Sequence, residues 1–309
     1  MEITHLADFL SAGGARYQVY DMGRRVTPLA DFAAIAGGQR PYPYPLQQQA
    51  WLGILFWQQQ PYVWFVKLGL DEQGLINQGH AAQFMAQVLT AMQEGRDALP
   101  DNPYTFTPSD EKRAAFHSQA RLFLGEPASL YYEQAAAFAQ GQHQDWQRLG
   151  LQGLADLAVR DRHTEAFIAM VAKAPLPVLQ ALAGQLENLT IAKSLADALW
   201  VRFDEAPLVL ARALARSTHA TEATDRLLSA AVDINTLAVI AGRLFDTLAE
   251  PQRLTDYLTQ AATVEQGQYF NDLFADLVML PQLRPALLAK LRDPERSAIL
   301  AKAMGGLIG

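Results

Sequence analysis

Residues 50–74, AWLGILFWQQQPYVWFVKLGLDEQG, decide the fold, because they break step with a chain that otherwise reads as helix. Residues 51–57 and 62–70 are short, nearly continuous apolar runs rich in aromatic and branched side chains. Their length and composition favour strand over buried helix, and their continuity predicts strands covered on both faces. Gln58-Gln59-Gln60-Pro61 is the polar break that folds one run back on the other. Lys67, alone among apolar neighbours, reads as an edge-facing or snorkelling lysine.

Toward the N-terminus, residues 16–22 alternate and favour a further strand, while Ile3, Leu6, Ala7 and Leu10 fall at helical spacing and stop at Gly13-Gly14. Thr27-Pro28 predicts a capping threonine with proline at the first helical position, opening a helix through Leu29, Phe32 and Ile35. Pro41-Tyr42-Pro43-Tyr44-Pro45 is neither helix nor central strand, since three prolines fix φ and remove donors. It predicts an extended loop whose tyrosines either dock a partner or lie over the sheet. A helical stripe at Ala81, Met85, Val88, Leu89 and Met92 closes the unit. The expected organisation is a small α+β unit over residues 1–95, a Pro-rich linker over 96–108 and a helical array over 109–309.

In the array the helical period does not break. Phe116, Ala120, Phe123 and Leu124 form one stripe, Tyr131, Ala135 and Phe138 another, and Trp146, Leu149, Gly150, Gly153 and Leu157 a third whose glycines predict close helix contact. Beyond these, apolar anchors recur every ~13 to 19 residues, so a helix pair recurs every ~30. This spacing fits a HEAT-like solenoid of helical pairs, with a shorter pair than HEAT repeats have, or else an irregular helical bundle. The fold class is an α+β N-terminal unit followed by an all-α array, mainly α.

With 50% hydrophobic and 18% charged residues the chain can build a sizeable core. A net charge of -7 with acids and bases intermixed argues against nucleic acid as a partner. Having no cysteine, the chain offers no disulfide, thiolate zinc site or cysteine nucleophile. No apolar run reaches the ~20 residues of a membrane helix and no secretory pattern opens the sequence, so a soluble, cytoplasmic protein is expected. Phosphate-binding glycine loops, the nucleophile elbow, His-Glu-x-x-His and calcium-loop spacing are all missing. Neither cofactor nor metal nor catalytic residue is expected. Arg148, Arg160, Arg162, Arg202, Arg212 and Arg216 either clamp acids in one groove or pair with nearby acids on solvated faces.

After the second strand, Leu70-Asp71-Glu72-Gln73-Gly74 turns the chain, with glycine where a turn needs positive φ. The aromatic hairpin ending in this Leu-Asp-Glu triplet, the alanine- and leucine-rich helical remainder and the length resemble an uncharacterised bacterial family, a domain of unknown function in which an LDE motif recurs. The resemblance covers most of the chain and implies no activity. Asp71 and Glu72 have the chemistry to ligate a cation or act as acid and base, and the competing reading is a solvated, capping turn. The expected function is that of a non-catalytic interaction or scaffold protein binding a protein partner. Candidate contacts are Tyr42, Tyr44, Trp57, Trp64, Asp71 and Glu72. The alternative is an enzyme or small-ligand binder with a pocket where the two domains join.

Overall fold

A computed structural model describes residues 3–12, 14–94, 102–265 and 267–307. The chain divides into two compact units, the first comprising Met1–Pro108 with Phe274–Leu288, the second Ser109–Leu273 with Ala289–Gly309. Among the described residues it is mainly helical, with one antiparallel sheet near the N-terminus.

In the first unit the order is α1 (Leu6–Ala12), β1 (Arg16–Asp21), β2 (Thr27–Pro28), α2 (Phe32–Ala36), β3 (Gln49–Trp57), β4 (Pro61–Gly69) and α3 (Gln78–Gln93). The strands lie β2-β1-β3-β4. Trp57 faces Pro61 across the hairpin, which leaves the three glutamines as its tip. Val19, Ala50, Leu52, Ile54, Val66 and Leu68 point to one face and pack with Leu6, Leu10, Phe32, Ile35, Phe84 and Val88 of the three helices. On the opposite parity Tyr20 and Leu55 are also buried, but Trp51, Trp57, Val63 and Phe65 are half-buried, so this face is covered only in part, less than the continuous apolar runs predict.

Two local expectations change. Thr27 and Pro28 do not cap a helix; they pair antiparallel with Asp21 and Tyr20, and Leu29 N–H donates to Val19 C=O. A residue before proline is steered away from helical φ and ψ, so Thr27 extends and the helix waits until Asp31. Along the outer edge of β4, Lys67 N–H donates to Tyr104 C=O at 2.8 Å and Phe106 N–H to Phe65 C=O at 3.2 Å. The described part of the expected linker is thus bonded to the sheet, and its Phe106 ring meets Trp51 edge-on at 4.8 Å. Lys67 lays its ammonium over Trp51 at 5.7 Å. Gly95 and residues 96–101 lie outside the described residues.

The β1–β2 connection is built on Asp21, which is fully buried. Its oxygens accept from the amides of Gly23, Arg24 and Arg25 at 2.9, 3.1 and 2.9 Å and from the Tyr42 hydroxyl at 2.6 Å. Arg24, itself buried, donates to Pro45 C=O at 2.8 Å and to the Asp276 carboxylate at 2.6 Å. Asp276 also accepts from the Gln47 amide at 2.9 Å, where the backbone takes positive φ. A charged, desolvated pair of this kind ties Phe274–Leu288 to the sheet unit, although sequence spacing alone groups these residues with the array.

The second unit contains α4 (Asp110–Leu124), α5 (Tyr132–Ala139), α6 (Leu151–Asp161), α7 (Glu165–Val171), α8 (Leu176–Leu186), α9 (Lys193–Val201), α10 (Pro207–Leu214), α11 (Ala220–Ser229), α12 (Ile234–Arg243) and α13 (Pro251–Val264). Next come α14 (Gln268–Val278) and α15 (Arg284–Arg292), each shared between the units, and α16 (Ala298–Gly305). Helices two apart pack together: α4 on α6, α6 on α8, α8 on α10 and α10 on α12, with α5 on α7, α7 on α9 and α11 on α13.

Arginines bridge successive layers. Arg162 donates to Thr190 C=O, Arg202 to Ala174 C=O, Arg216 to Asn188 C=O and Arg253 to the Asp225 carboxylate, each across 28 positions. Three of the six arginines singled out in the sequence also pair with acids, Arg148 with Asp145 at 3.9 Å, Arg202 with Glu205 at 2.5 Å and Arg212 with Glu187 at 2.7 Å. Of the bridges across 28 positions, those of Arg162, Arg202 and Arg216 end on carbonyls of the connections between helices and that of Arg253 on a carboxylate, at a spacing close to the ~30-residue pair read from the anchors. Glu187, almost fully buried, lies between Arg212 at 2.7 Å and Arg243 at 2.9 Å, and Arg212 reaches on to Glu111 at 3.1 Å.

Candidate functional site

The six residues singled out in the sequence do not converge. Tyr42 is fully buried; burial first, and then the Asp21 carboxylate, push its hydroxyl well above the ordinary phenol range, so it stays protonated and donates. It is a core residue and offers no docking face. Tyr44 packs half-buried against the same core, and Trp64 against Phe56 at 4.3 Å and Phe84 at 5.9 Å. Trp57 sits at the tip of the hairpin with the Arg16 guanidinium over its ring at 5.3 Å. Asp71 and Glu72 are exposed at the far end of β4, nine residues of strand and roughly 26 Å away. One Asp71 oxygen accepts from the amides of Gln73 and Leu75, both at 2.9 Å, so it closes the turn. With both carboxylates exposed and neither in an ion pair among the described residues, the acid–base reading loses its named residues.

An open cleft of about 440 Å³ lies elsewhere, at the start of the array, lined by His117, Arg121, Ser129, Leu130, Tyr131 and Gln152. Its first wall is α4. Ser109 caps that helix by accepting from the Lys112 amide, and Asp110 and Glu111 follow at the positive end of the dipole. Ala115, Phe116 and Ala120 face inward, which leaves His117 and Arg121, one turn apart, on the flank. Gly125, at φ 71°, ends the helix in the left-handed region.

The second wall is the 126–131 connection and α6. Ser129 N–H donates to buried Asp156 at 3.0 Å, and Tyr131 N–H to Ser129 Oγ at 3.3 Å. Gly153 lets this connection approach α6, since a Cβ there would stand 2.4 Å from Tyr131 C=O. The close contact expected from the glycines is thus made by the Tyr131 backbone. Gln152 donates to Ser118 Oγ at 2.7 Å, and this fixes its amide in the wall.

Apolar surface stands uncovered here. Leu130 is 81% and Tyr131 50% exposed, and the last turn of α4 exposes Leu122 and Phe123. Phe123 and Tyr131 were expected on buried stripes. The α4 core stripe instead runs through Phe116 and Ala120, and Phe123, one turn on, comes where the chain is already turning away at Gly125.

Electrostatically the cleft is basic and unsatisfied. Burial first, then Arg121 and Arg113, hold His117 below the ordinary imidazole range, so it is neutral at pH 7. Arg121 makes no ion pair and its guanidinium no hydrogen bond among the described residues, whereas the array's Arg160, Arg162, Arg202, Arg212, Arg216 and Arg253 are all engaged. No hydrogen bond joins His117 to Ser129 among the described residues, so no nucleophile–base pair is formed. Such an arrangement can bind an anion beside an apolar group.

The signal available in the sequence is a stripe of Arg113, His117 and Arg121 at four-residue spacing, beside the apolar face of Phe116 and Ala120 that marks α4 as a helix. Among the described residues no group of three or more His, Asp or Glu side chains is placed to hold a metal, and no helix is long and apolar enough to cross a membrane. Neither the curated proteins nor the solved structures contain a match to this chain. A family described as a protein of unknown function (DUF3549) matches residues 1–308, and the chain belongs to that family.

Proposed function

We propose that this is a non-catalytic interaction protein whose helical array is a HEAT-like solenoid docking a protein partner. The observation that carries the reading is the cleft between α4, the 126–131 connection and α6, where exposed Leu130 and Tyr131 stand beside an arginine whose guanidinium has no partner among the described residues. Partner binding concentrates in aromatic and arginine side chains near a pocket, and these are the types present. Stacking of alternate helices and bridges repeated at 28 positions support the solenoid reading. The proposed surface lies in the array; on the hairpin Tyr62 is exposed, and Trp51, Phe56, Trp57, Trp64 and Phe65 are half-buried against their neighbours. A composition without cysteine suits a reducing compartment such as the cytoplasm.

The test is site-specific photo-crosslinking in the native host, with the photoreactive residue at Leu130 or at Val201, which is 85% exposed and lies on α9. A discrete crosslinked protein from position 130 and none from 201 is the expected result. Absence of any crosslink at 130, or the same products from both positions, refutes the reading.

A further inference from the structure

The cleft's chemistry narrows the class of partner. We infer that it recognises a carboxylate carried by an acidic peptide segment, with Arg121 as the anchor, His117 as a second donor, and Leu130 and Tyr131 packing the apolar residue beside that carboxylate. This rests on the interaction reading above and deepens it.

Charge complementarity supplies the argument. A guanidinium presents a planar fork of donors that matches a carboxylate through two parallel hydrogen bonds. Elsewhere in this array such forks are occupied internally, as in Arg202 with Glu205 three residues on at 2.8 and 2.5 Å or Arg253 with Asp225 across 28 positions at 2.6 and 3.2 Å. Arg121 has the same fork and an open cleft in front of it. Its place in the last turn of α4 accounts for a cation there by the helix dipole, but it accounts for neither the cleft nor the exposed rim. A carboxylate is close at hand in Asp156, yet one of its oxygens holds the Ser129 amide and no ion pair joins it to Arg121 among the described residues. His117, neutral and one turn earlier, keeps a ring N–H to give. Lining of this kind, apolar on one side and cationic on the other, selects an acidic residue next to a bulky apolar one.

The experiment uses the full chain and three fluorescent peptides read by anisotropy. The first is acetyl-Leu-Phe-Glu-Glu-Leu-amide, the second its Gln-Gln counterpart, and the third that neutral sequence ending in a free carboxylate. Saturable binding of the first peptide, with the second at least about tenfold weaker, is expected. Binding of the third peptide without the first would place the carboxylate at a chain terminus and overturn the assignment to an acidic segment. Arg121→Gln is expected to remove the difference between charged and neutral peptides, and Arg121→Lys to restore only part of it, because an ammonium lacks the fork. Thermal melts of both variants check that they fold. Equal affinity for the neutral peptide, unchanged affinity in Arg121→Gln, or no saturable binding of any peptide overturns the inference. If the crosslink at position 130 persists in Arg121→Gln while the peptides fail, a partner still docks here by other chemistry, and only the carboxylate assignment falls.

Discussion

The turn built on Asp21 in the first unit and the cleft beside Arg121 in the second draw on the same side-chain types, with opposite results. Around Asp21 a carboxylate, a tyrosine hydroxyl, three amides and the neighbouring Arg24 are matched one to another and closed off from solvent. Around Arg121 an arginine, a half-buried histidine and a tyrosine line an open cleft, with no hydrogen bond to the side chains of the first two among the described residues. Aromatic content is therefore a poor guide to a docking surface in this protein. Hydrogen-bonding capacity left over after folding is the better one, since a fold rarely leaves its charged donors without partners unless water or a ligand takes them.

The largest effect that tests this contrast is on stability. Asp21→Ala removes one carboxylate from four donors at once, and each buried donor left alone costs about 1–3 kcal/mol. The expected loss is about 3 kcal/mol or more, read from urea denaturation. Arg121→Gln, by contrast, is expected to stay within about 0.5 kcal/mol of the parent protein, because it breaks nothing internal. Similar losses in the two variants would dissolve the distinction between a structural and a free polar site.

Gly153→Ala sharpens the comparison at the cleft itself. Alanine favours helix over glycine by about 1 kcal/mol, so in a merely helical position the change stabilises. Here the new methyl meets the Tyr131 carbonyl at 2.4 Å, and backbone has to move. Net destabilisation of about 1–3 kcal/mol is expected, together with changed fluorescence from Tyr131 in a chain stripped of its other nearby reporters. A neutral or stabilising outcome would mean that the 126–131 connection is not held against α6.

How far these features could be read in advance follows from where their causes lie. The hairpin, β1 and the helical period are local patterns, and the elements over residues 51–57, 62–70 and 81–92 read correctly for that reason, although Leu89 and Met92 of the expected stripe are exposed and Phe84 and Ala91 join Ala81 and Val88 on the buried face instead. Thr27-Pro28 misled because a capping signal and a pre-proline strand use the same two residues, and the pairing with Asp21 that decides between them is non-local. Return of Phe274–Leu288 to the first unit rests on Arg24 meeting Asp276 across 252 positions, which no period reveals. Tyr42 could not be told from a surface tyrosine until Asp21 was found beneath it. The cleft was legible only in pieces, as a basic stripe on α4 and as glycines that signal close contact at α6, because no local pattern names the Tyr131 backbone as the partner of Gly153.

The smallest expected effect lies in pH dependence, where two histidines of the array carry the same contrast in miniature. His219 is engaged: it binds Asp197 at 2.8 Å, contacts Glu222 and stacks on Trp200 at 5.2 Å. The Asp197 hydrogen bond first, then that of Glu222, raise its pKa above the ordinary 6.5. Its stabilisation is then complete below about pH 6.5 and is lost as pH rises through the raised folded value. His117 goes the other way, lowered by burial and by two arginines. Below about pH 6.5 the unfolded chain binds that proton more readily, so His117 destabilises the fold as pH falls toward its lowered folded value and has no effect well above 6.5. His219→Gln should therefore lower the melting temperature at pH 5.5 more than at pH 8.5, whereas His117→Gln should raise it at pH 5.5 and leave pH 8.5 unchanged. Because the carboxylates around His219 stand in solvent, its effect is the more salt-sensitive of the two. Identical pH responses in the two variants would show that the histidines are not differently engaged, and the cleft would lose its claim to an unoccupied donor.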